Sequence, residues 1–235
     1  MNDVGGQIWT GDRQVHQDTA KMKTVWQFCR GKGITELEWL ILSHRDWDHI
    51  GNFKAVSLQL RIKHLGLPAG MEKTATYRRW LKPHLKDTQV HPLKAGDRLT
   101  ANCQVLHPFV EGKGENKDSV ALYLYHQGVG IMLTGDLDQE GEKTIIKAMR
   151  LPQVDILKFG HHGSKTSTSS QLLETVRPSY GIVSAGRDNR FGHPHPQVLA
   201  KAAHNKIQVL STAQEGLLLL KGTKPVRWQT ECGFD

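Results

Sequence analysis

Apolar and polar positions along the chain switch repeatedly between two rhythms. In "KMKTVWQFCRGKG" (21–33), Met22, Val25, Trp26 and Cys29 recur at helical spacing and glycines stop the run, which predicts a helix. "LEWLILSH" (37–44) is short and almost continuously apolar, as a strand buried on both faces would be. "DHIGNFKAV" predicts a helix with Asp48 near its N-terminus, and "RIKHLGL" a strand. "TATYRRWLKPHLK" (74–86) has a helical pattern that Pro83 interrupts. "QVLHP" and "SVALYLYHQGVGIMLTGD" (119–136) predict strands, the latter a hairpin turning at "HQGVG". Helix and strand then alternate through "QEGEKTIIKAM", "VDILKFG", "SSQLLETV", "YGIVSAG", "PQVLAKAAH" and "IQVLST", and "GLLLLKGTKPVRWQT" predicts a last hairpin.

This alternation predicts a layered α/β fold with helices covering sheets. No repeat or low-complexity linker divides the chain, so residues 1–235 read as a single domain, large enough for a substantial core. No window approaches 18 consecutive apolar residues, and "MNDVGGQIWTGDRQ" lacks a basic-then-apolar leader. The expectation is a soluble domain without a transmembrane segment, part of a longer protein or truncated at its N-terminus. Cys29, Cys103 and Cys232 are far apart and lack CxxC spacing, which argues against a disulfide framework or a cysteine zinc site. A net charge of +8 points to a polyanionic partner. Thirteen histidines, several beside Gly, Pro or Asp, are the sharper anomaly.

Four apolar runs end in potential ligands. "LEWLILSH" leads into His44, Asp46, Asp48 and His49; "GIMLTGD" into Asp136; "VDILKFGHHGS" into His161 and His162; "YGIVSAGRDNRFGHPHP" into Arg187, Asn189 and His193. Function at the carboxyl ends of strands is the habit of α/β layers, so the loops are expected to converge on one site. Alternate side chains of an extended loop point the same way. His44 and Asp46 can then hold one metal while Asp48 and His49 hold a second. Asp136 reads either as a carboxylate bridging two cations or as the N-cap of a helix over 138–150.

These segments resemble a known family. "SHRDWDHIGN" is similar to the HxHxDH signature of the metallo-β-lactamase fold, with Asp46 in the place of the second histidine. "NDVGG", "IMLTGD", "DILKFGHHGSKTSTS" and "SAGRDNRFGHPHP" are similar to the hydrolase-like domain of the ComEC competence proteins, which carry DNA across bacterial membranes. The resemblance implies an αββα four-layer sandwich with a two-metal site at the loop ends. It puts Asp3 at the first acidic position, His44, Asp46, Asp48 and His49 in the second motif, Asp136 in the bridging place and His161 or His162 in the last ligand place. A histidine that usually precedes the "TGD" hairpin is replaced by "ENKDSV", leaving Asn116 or Asp118 as the candidate. The family's first hairpin should lie upstream of Asp3.

Three carboxylates make the implied site oxygen-rich, so the expected cofactors are two divalent ions, Zn²⁺ or Mn²⁺. They would activate a water for in-line attack on a phosphodiester, so no protein nucleophile is needed; Ser43 lacks a G-x-S-x-G context. Asp48 and His193 are the candidate catalytic residues, His193 as proton donor, phosphate ligand or merely a loop histidine bonded to backbone. Ser164, Lys165, Arg187, Asn189 and His193 are candidate phosphate contacts. Residues 73–86 read either as a single-strand-binding segment, with Arg78, Arg79, Lys82 and Trp80, or as a solvated helix with Trp80 in the core. The expected function is a phosphodiesterase or nuclease on single- or double-stranded DNA during transformation, working with the membrane channel portion of the same or a cognate protein. The alternatives are a DNA-guiding module with weak or no catalysis, and a small-molecule phosphodiesterase.

Overall fold

The computed structural model describes residues 1–5, 19–187, 189–221, 224 and 226–231. The chain divides into two compact units, one of Met1–Lys94 with Pro108–Val120, the other of Ala95–His107 with Ala121–Asp235.

The first unit carries helices α1 (Thr19–Gly31), α2 (Trp47–Ile50) and α3 (Phe53–Gln59) and strands β1 (Glu36–Ile41), β2 (Arg61–Pro68) and β3 (Gln89–Leu93). The strands form one sheet in the order β1-β2-β3, both pairings parallel. Leu40, Leu42, Leu65 and Leu67 pack with Phe53 and Val56 of α3, with Met22 and Cys29 of α1, and with Met71 and Leu81. Each large apolar side chain buried in this way is worth about 1.5–3 kcal/mol relative to exposure. The first residues run alongside β1: Asp3 N donates to Ile41 O at 2.8 Å and Ile41 N to Met1 O at 2.9 Å. This brings Asp3 to the carboxyl end of β1. The expected helix over 74–86 is a π-helical turn, Tyr77–Leu81, followed by a 3-10 turn, Lys82–His84. Pro83 supplies no N–H for an α-helical ladder, so the last turn tightens instead.

The second unit carries strands β4 (Arg98–Thr100), β5 (Cys103–His107), β6 (Ala121–His126), β7 (Val129–Leu133), β8 (Ile156–Lys158), β9 (Tyr180–Val183) and β10 (Gln208–Ser211) in one sheet of order β10-β9-β8-β7-β6-β5-β4. Strands β7 to β10 pair in parallel, and β4 to β7 antiparallel. The β6–β7 hairpin turns at Gln127 and Gly128, both at positive φ (49° and 85°), the requirement of a two-residue turn that matches strand twist. Helices α4 (Gln139–Ala148), α5 (Ser170–Val176) and α6 (Pro196–His204) bury Ile145, Leu172, Leu173, Val176, Val198 and Ala202. A short helix α7 (Thr212–Glu215) precedes a separate hairpin of β11 (Leu217–Lys221) and β12 (Arg227–Glu231). Each unit is thus a sheet with helices, the layer composition that the sequence predicts.

Among the described residues no helix is long and apolar enough to cross a membrane. Cys29 and Cys103 are free thiols, and Cys232 lies outside the described residues.

Candidate metal centre

The apolar run of β1 ends in a loop whose polar side chains are fixed from behind. Ser43 and His44 are fully buried and His49 nearly so. Asp3 is the anchor. Its Oδ1 accepts from Ser43 N at 2.6 Å, and its Oδ2 accepts from Ser43 Oγ at 2.9 Å and lies 3.0 Å from His49 Nδ1. Ser43 Oγ also lies 3.0 Å from His44 Nδ1 and 3.1 Å from His49 Nδ1. Both imidazoles are therefore held through Nδ1, and Nε2 faces a carboxylate. His44 Nε2 is 3.7 Å from Asp46 Oδ2, and His49 Nε2 is 3.8 Å from Asp48 Oδ2. The two rings lie 4.1 Å apart. Burial alone would raise the Asp3 carboxyl; His49, with Ser43 and His44, reverses this and holds it below the ordinary carboxylate value. An anion behind a histidine fixes its tautomer and raises the basicity of the outer nitrogen.

The second unit repeats the device. Asp136 follows β7 and is 2% exposed. The N-cap of α4 is Asp138, whose Oδ1 accepts from Gly141 N at 2.9 Å, so the capping alternative for Asp136 does not hold. His161 and His162 follow β8 on a backbone at positive φ (48° and 56°), a conformation that costs non-glycine residues of order 1–3 kcal/mol and clusters at functional sites. The surroundings hold it there. His161 N donates to Gly135 O at 3.1 Å, Ser164 N to His161 O at 2.8 Å, and His195 N to Gly163 O at 2.9 Å. His162 Nδ1 donates to Ser184 O at 2.7 Å, turning Nε2 to Asp136 Oδ2 at 3.5 Å. His161 Nε2 is 3.7 Å from the same oxygen, and its Nδ1 lies 3.4 Å from Thr166 Oγ1.

Asp48 and His49 of the first unit and Asp136 and His162 of the second are side chains of metal-binding type, each pair set at the end of a strand of its own unit. Ligand bonds of about 2.0–2.2 Å put two donors of one tetrahedral ion roughly 3.3–3.5 Å apart, and within each unit one pair comes close to that spacing: His49 Nε2 with Asp48 Oδ2 at 3.8 Å and His162 Nε2 with Asp136 Oδ2 at 3.5 Å. Two imidazoles and two carboxylates suit zinc or manganese.

The other candidates are distributed as follows. Asp46 is the exposed member of the first loop, its side chain 50% accessible. His193 sits 6.1 Å, ring to ring, from His161. Burial, together with His161 and His162, holds His193 below the ordinary imidazole value, which favours the neutral ring near pH 7. Asn189 knits its own loop: Nδ2 donates to Gly186 O and His193 O at 2.9 and 2.7 Å, and Oδ1 accepts from His193 N at 2.8 Å. Arg187 Nε donates to Ala213 O at 3.0 Å. Ser164 is buried with Oγ 3.0 Å from Thr166 Oγ1, whereas Lys165 is exposed. Asp118 Oδ2 accepts from Lys113 N and Glu115 N at 2.9 and 3.0 Å, so it closes the loop 113–118; Asn116 opens the 3-10 turn of that loop.

Two residues of this framework are not read as functional from the sequence. Ser43 is visible only as a small polar residue in an apolar run, with no motif of its own. Glu142 of α4 is fully buried, and its carboxylate accepts from Thr168 N at 2.6 Å and Ser169 N at 2.8 Å, tying down the segment that follows the histidine pair. Its signal was available: it lies three residues from the buried Ile145, on the inward stripe of the helix.

The profile of the Metallo-beta-lactamase superfamily matches residues 23–187. The chain is 34% identical to ComE operon protein 3 of Bacillus subtilis over 83% of its own length and 26% of that protein's. It is 31% identical to Recombination protein 2 of Haemophilus influenzae, over 90% of this chain and 25% of that one. It is 30% identical to Competence protein ComA of Neisseria gonorrhoeae, over 79% of this chain and 25% of that one. The chain thus spans about a quarter of the length of these curated relatives. With its histidines and carboxylates at strand ends and a profile match over most of its length, the chain belongs to the metallo-β-lactamase superfamily, in which it is similar to ComEC-type competence proteins.

Proposed function

We propose that the chain is a metal-dependent phosphodiesterase that cleaves DNA in the course of DNA uptake. The observation that carries this reading is a close histidine–carboxylate pair at a strand end of each unit, His49 with Asp48 at 3.8 Å and His162 with Asp136 at 3.5 Å, all four of metal-binding type. His44 and Asp46, 3.7 Å apart, are a further such pair, proposed for a second ion. Of the histidine pair, His162 is the proposed ligand, because its Nδ1 is fixed by Ser184 O. Two divalent ions, zinc or manganese, supply when bound a water of lowered pKa and neutralisation of charge on a phosphoryl oxygen.

The chain's own residues do the rest. Asp3 and Ser43 hold His44 and His49 with Nε2 outward. Asp48 is also the proposed acceptor of the attacking water's proton, since its carboxylate is partly exposed beside His49. His193 donates a hydrogen bond to a phosphate oxygen, and Lys165 and Arg187 add positive charge. The competence names of the relatives and the net charge of +8 support DNA as substrate. The resemblance to the ComEC competence proteins, which carry DNA across membranes, supports action beside a membrane channel portion of the same or a cognate protein.

One observation favours a guiding module with weaker catalysis: Asp118 is engaged by its own loop, and Asn116 is a poor substitute for a histidine ligand. The test is cleavage of end-labelled single- and double-stranded DNA by metal-stripped protein, with Mn²⁺ or Zn²⁺ restored stepwise. Cleavage that returns with metal supports the nuclease. Tight DNA binding without cleavage at any metal concentration turns the reading to guidance, and metal-restored hydrolysis of small diesters alone turns it to a small-molecule enzyme.

A further inference from the structure

We propose that Trp80 and Arg79, continued by Trp47, form the track on which a single DNA strand approaches the metal-binding loop, with Arg78, Lys82 and Lys86 holding its phosphates. The track rests on the phosphodiesterase reading, to which it adds the strandedness of the substrate and the side from which it arrives.

The segment "KTATYRRWLKPHLK" (73–86) has five lysines and arginines and no acidic residue. Lys73 is neutralised, its Nζ 2.6 Å from Glu111 Oε2 and 4.0 Å from Glu72 Oε1. The other four, Arg78, Arg79, Lys82 and Lys86, are exposed, and none makes an ion pair with a described residue. A solvated structural helix ordinarily mixes signs along its face and turns a tryptophan inward. Here the Trp80 ring is only half-buried, and the Arg79 guanidinium lies 4.9 Å from its centroid. Bases stack on aromatic faces and on guanidinium planes alike, whatever their identity.

The stack continues toward the metal loop. Trp80 meets Trp47 edge-on, with ring centroids 5.0 Å apart and planes at 78°. Trp47 lies between Asp46 and Asp48, two of the proposed ligands, and opens helix α2. The π-helical turn Tyr77–Leu81, a geometry frequent at functional sites, anchors on the buried Leu81 and leaves Arg78 and Arg79 in solvent. Stacking surface, phosphate charges and metal ligands thus follow one another within the first unit. Rings that must lie flat against side chains cannot do so inside a base-paired stack, so the track takes a single strand.

The test uses the metal-loaded chain and a fluorescein-labelled, phosphorothioate-protected dT20, read by anisotropy. Trp80→Ala should weaken binding by about five- to a hundred-fold, the range of losing one base stack. Arg78→Ala, Lys82→Ala and Lys86→Ala combined should lower the slope of log K against log salt by about two, at roughly 0.7 per phosphate. This triple variant keeps the assay decisive should Trp80→Ala fail to fold. A duplex of the same length should bind more weakly than dT20. Wild-type affinity and salt slope in both variants, tighter duplex binding, or no binding of dT20 by the wild type would each overturn the track. Cleavage by the wild type is measured separately. A wild type that binds on this track but cleaves no diester leaves the track standing and removes the phosphodiesterase reading. A wild type that cleaves, with both variants binding normally, does the reverse.

Discussion

Asp3 is not expected to touch a metal, yet replacing it should weaken metal binding. Its carboxylate meets three groups: Ser43 N at 2.6 Å, Ser43 Oγ at 2.9 Å and His49 Nδ1 at 3.0 Å. Asp3→Asn keeps the shape and offers one carbonyl oxygen in place of two anionic ones. If that oxygen stays on Ser43 N, an amide N–H₂ faces His49. Nδ1 must then accept, and the ring proton moves to Nε2, the nitrogen turned toward Asp48. Losing such an outer partner typically costs 10- to 100-fold in metal affinity, about 1.4–2.7 kcal/mol. The assay is competition with a fluorescent chelator at neutral pH, with the thermal midpoint measured alongside. The same carboxylate bears on acid stability. Held below its ordinary value, it contributes stability that is present above about pH 3.9 and lost as pH falls through the folded-state value. An Asp3→Asn protein that folds and binds metal within twofold of wild type would refute this role.

Asp136→Ala should abolish turnover and reduce metal content while the fold survives; retained activity in chelator-treated buffers would exclude it as a ligand. Gly163 has φ +84°, and an added Cβ would lie 2.8 Å from Pro194 Cβ, so Gly163→Ala should cost roughly 1–3 kcal/mol in chemical denaturation and lower metal occupancy through its neighbour His162. Burial raises the Glu142 carboxyl despite the N–H groups of Ser169 and Thr168 and the charge of Lys201. The folded chain then holds this proton more tightly than the unfolded one, so stability from this group is complete below about pH 4.3 and falls as pH rises through the folded-state value. Wild type should therefore lose stability relative to Glu142→Gln as pH rises; a difference independent of pH would contradict the burial argument.

Much of the fold is legible because its elements are locally determined. The buried run before His44, the "HQGVG" turn and the amphipathic helices from residue 139 onward carry their own periodicity or turn chemistry. Strands β3 and β4 escape because "QVHPL" and "RLT" are short, and a proline and polar residues break their alternation. The segment around Pro83 reads as an ordinary helix because spacing alone does not separate a π turn from an α turn. In the site, ligand-type side chains announce themselves by clustering at the ends of apolar runs. Their supports do not: Ser43 and Glu142 act through hydrogen bonds to residues distant in sequence, and only the folded chain puts Ser43 beside Asp3 or Glu142 beside Thr168. Asp136 and Asp138 make the same point, since the sequence offers two carboxylates for one helix cap and the folded backbone assigns the cap to Asp138.

The central claim, that this chain holds catalytic divalent metal through Asp48, His49, Asp136 and His162, is tested most directly by metal stoichiometry. Protein purified without chelators is analysed by elemental mass spectrometry, wild type beside His162→Ala and His161→Ala. The account predicts up to two zinc or manganese ions per wild-type chain, a clear loss in His162→Ala, a smaller loss in His161→Ala, and DNA cleavage that tracks the metal content. A wild-type chain that takes up no divalent metal even at saturating Zn²⁺ and Mn²⁺, or that cleaves DNA equally well after complete removal of metal, would contradict it.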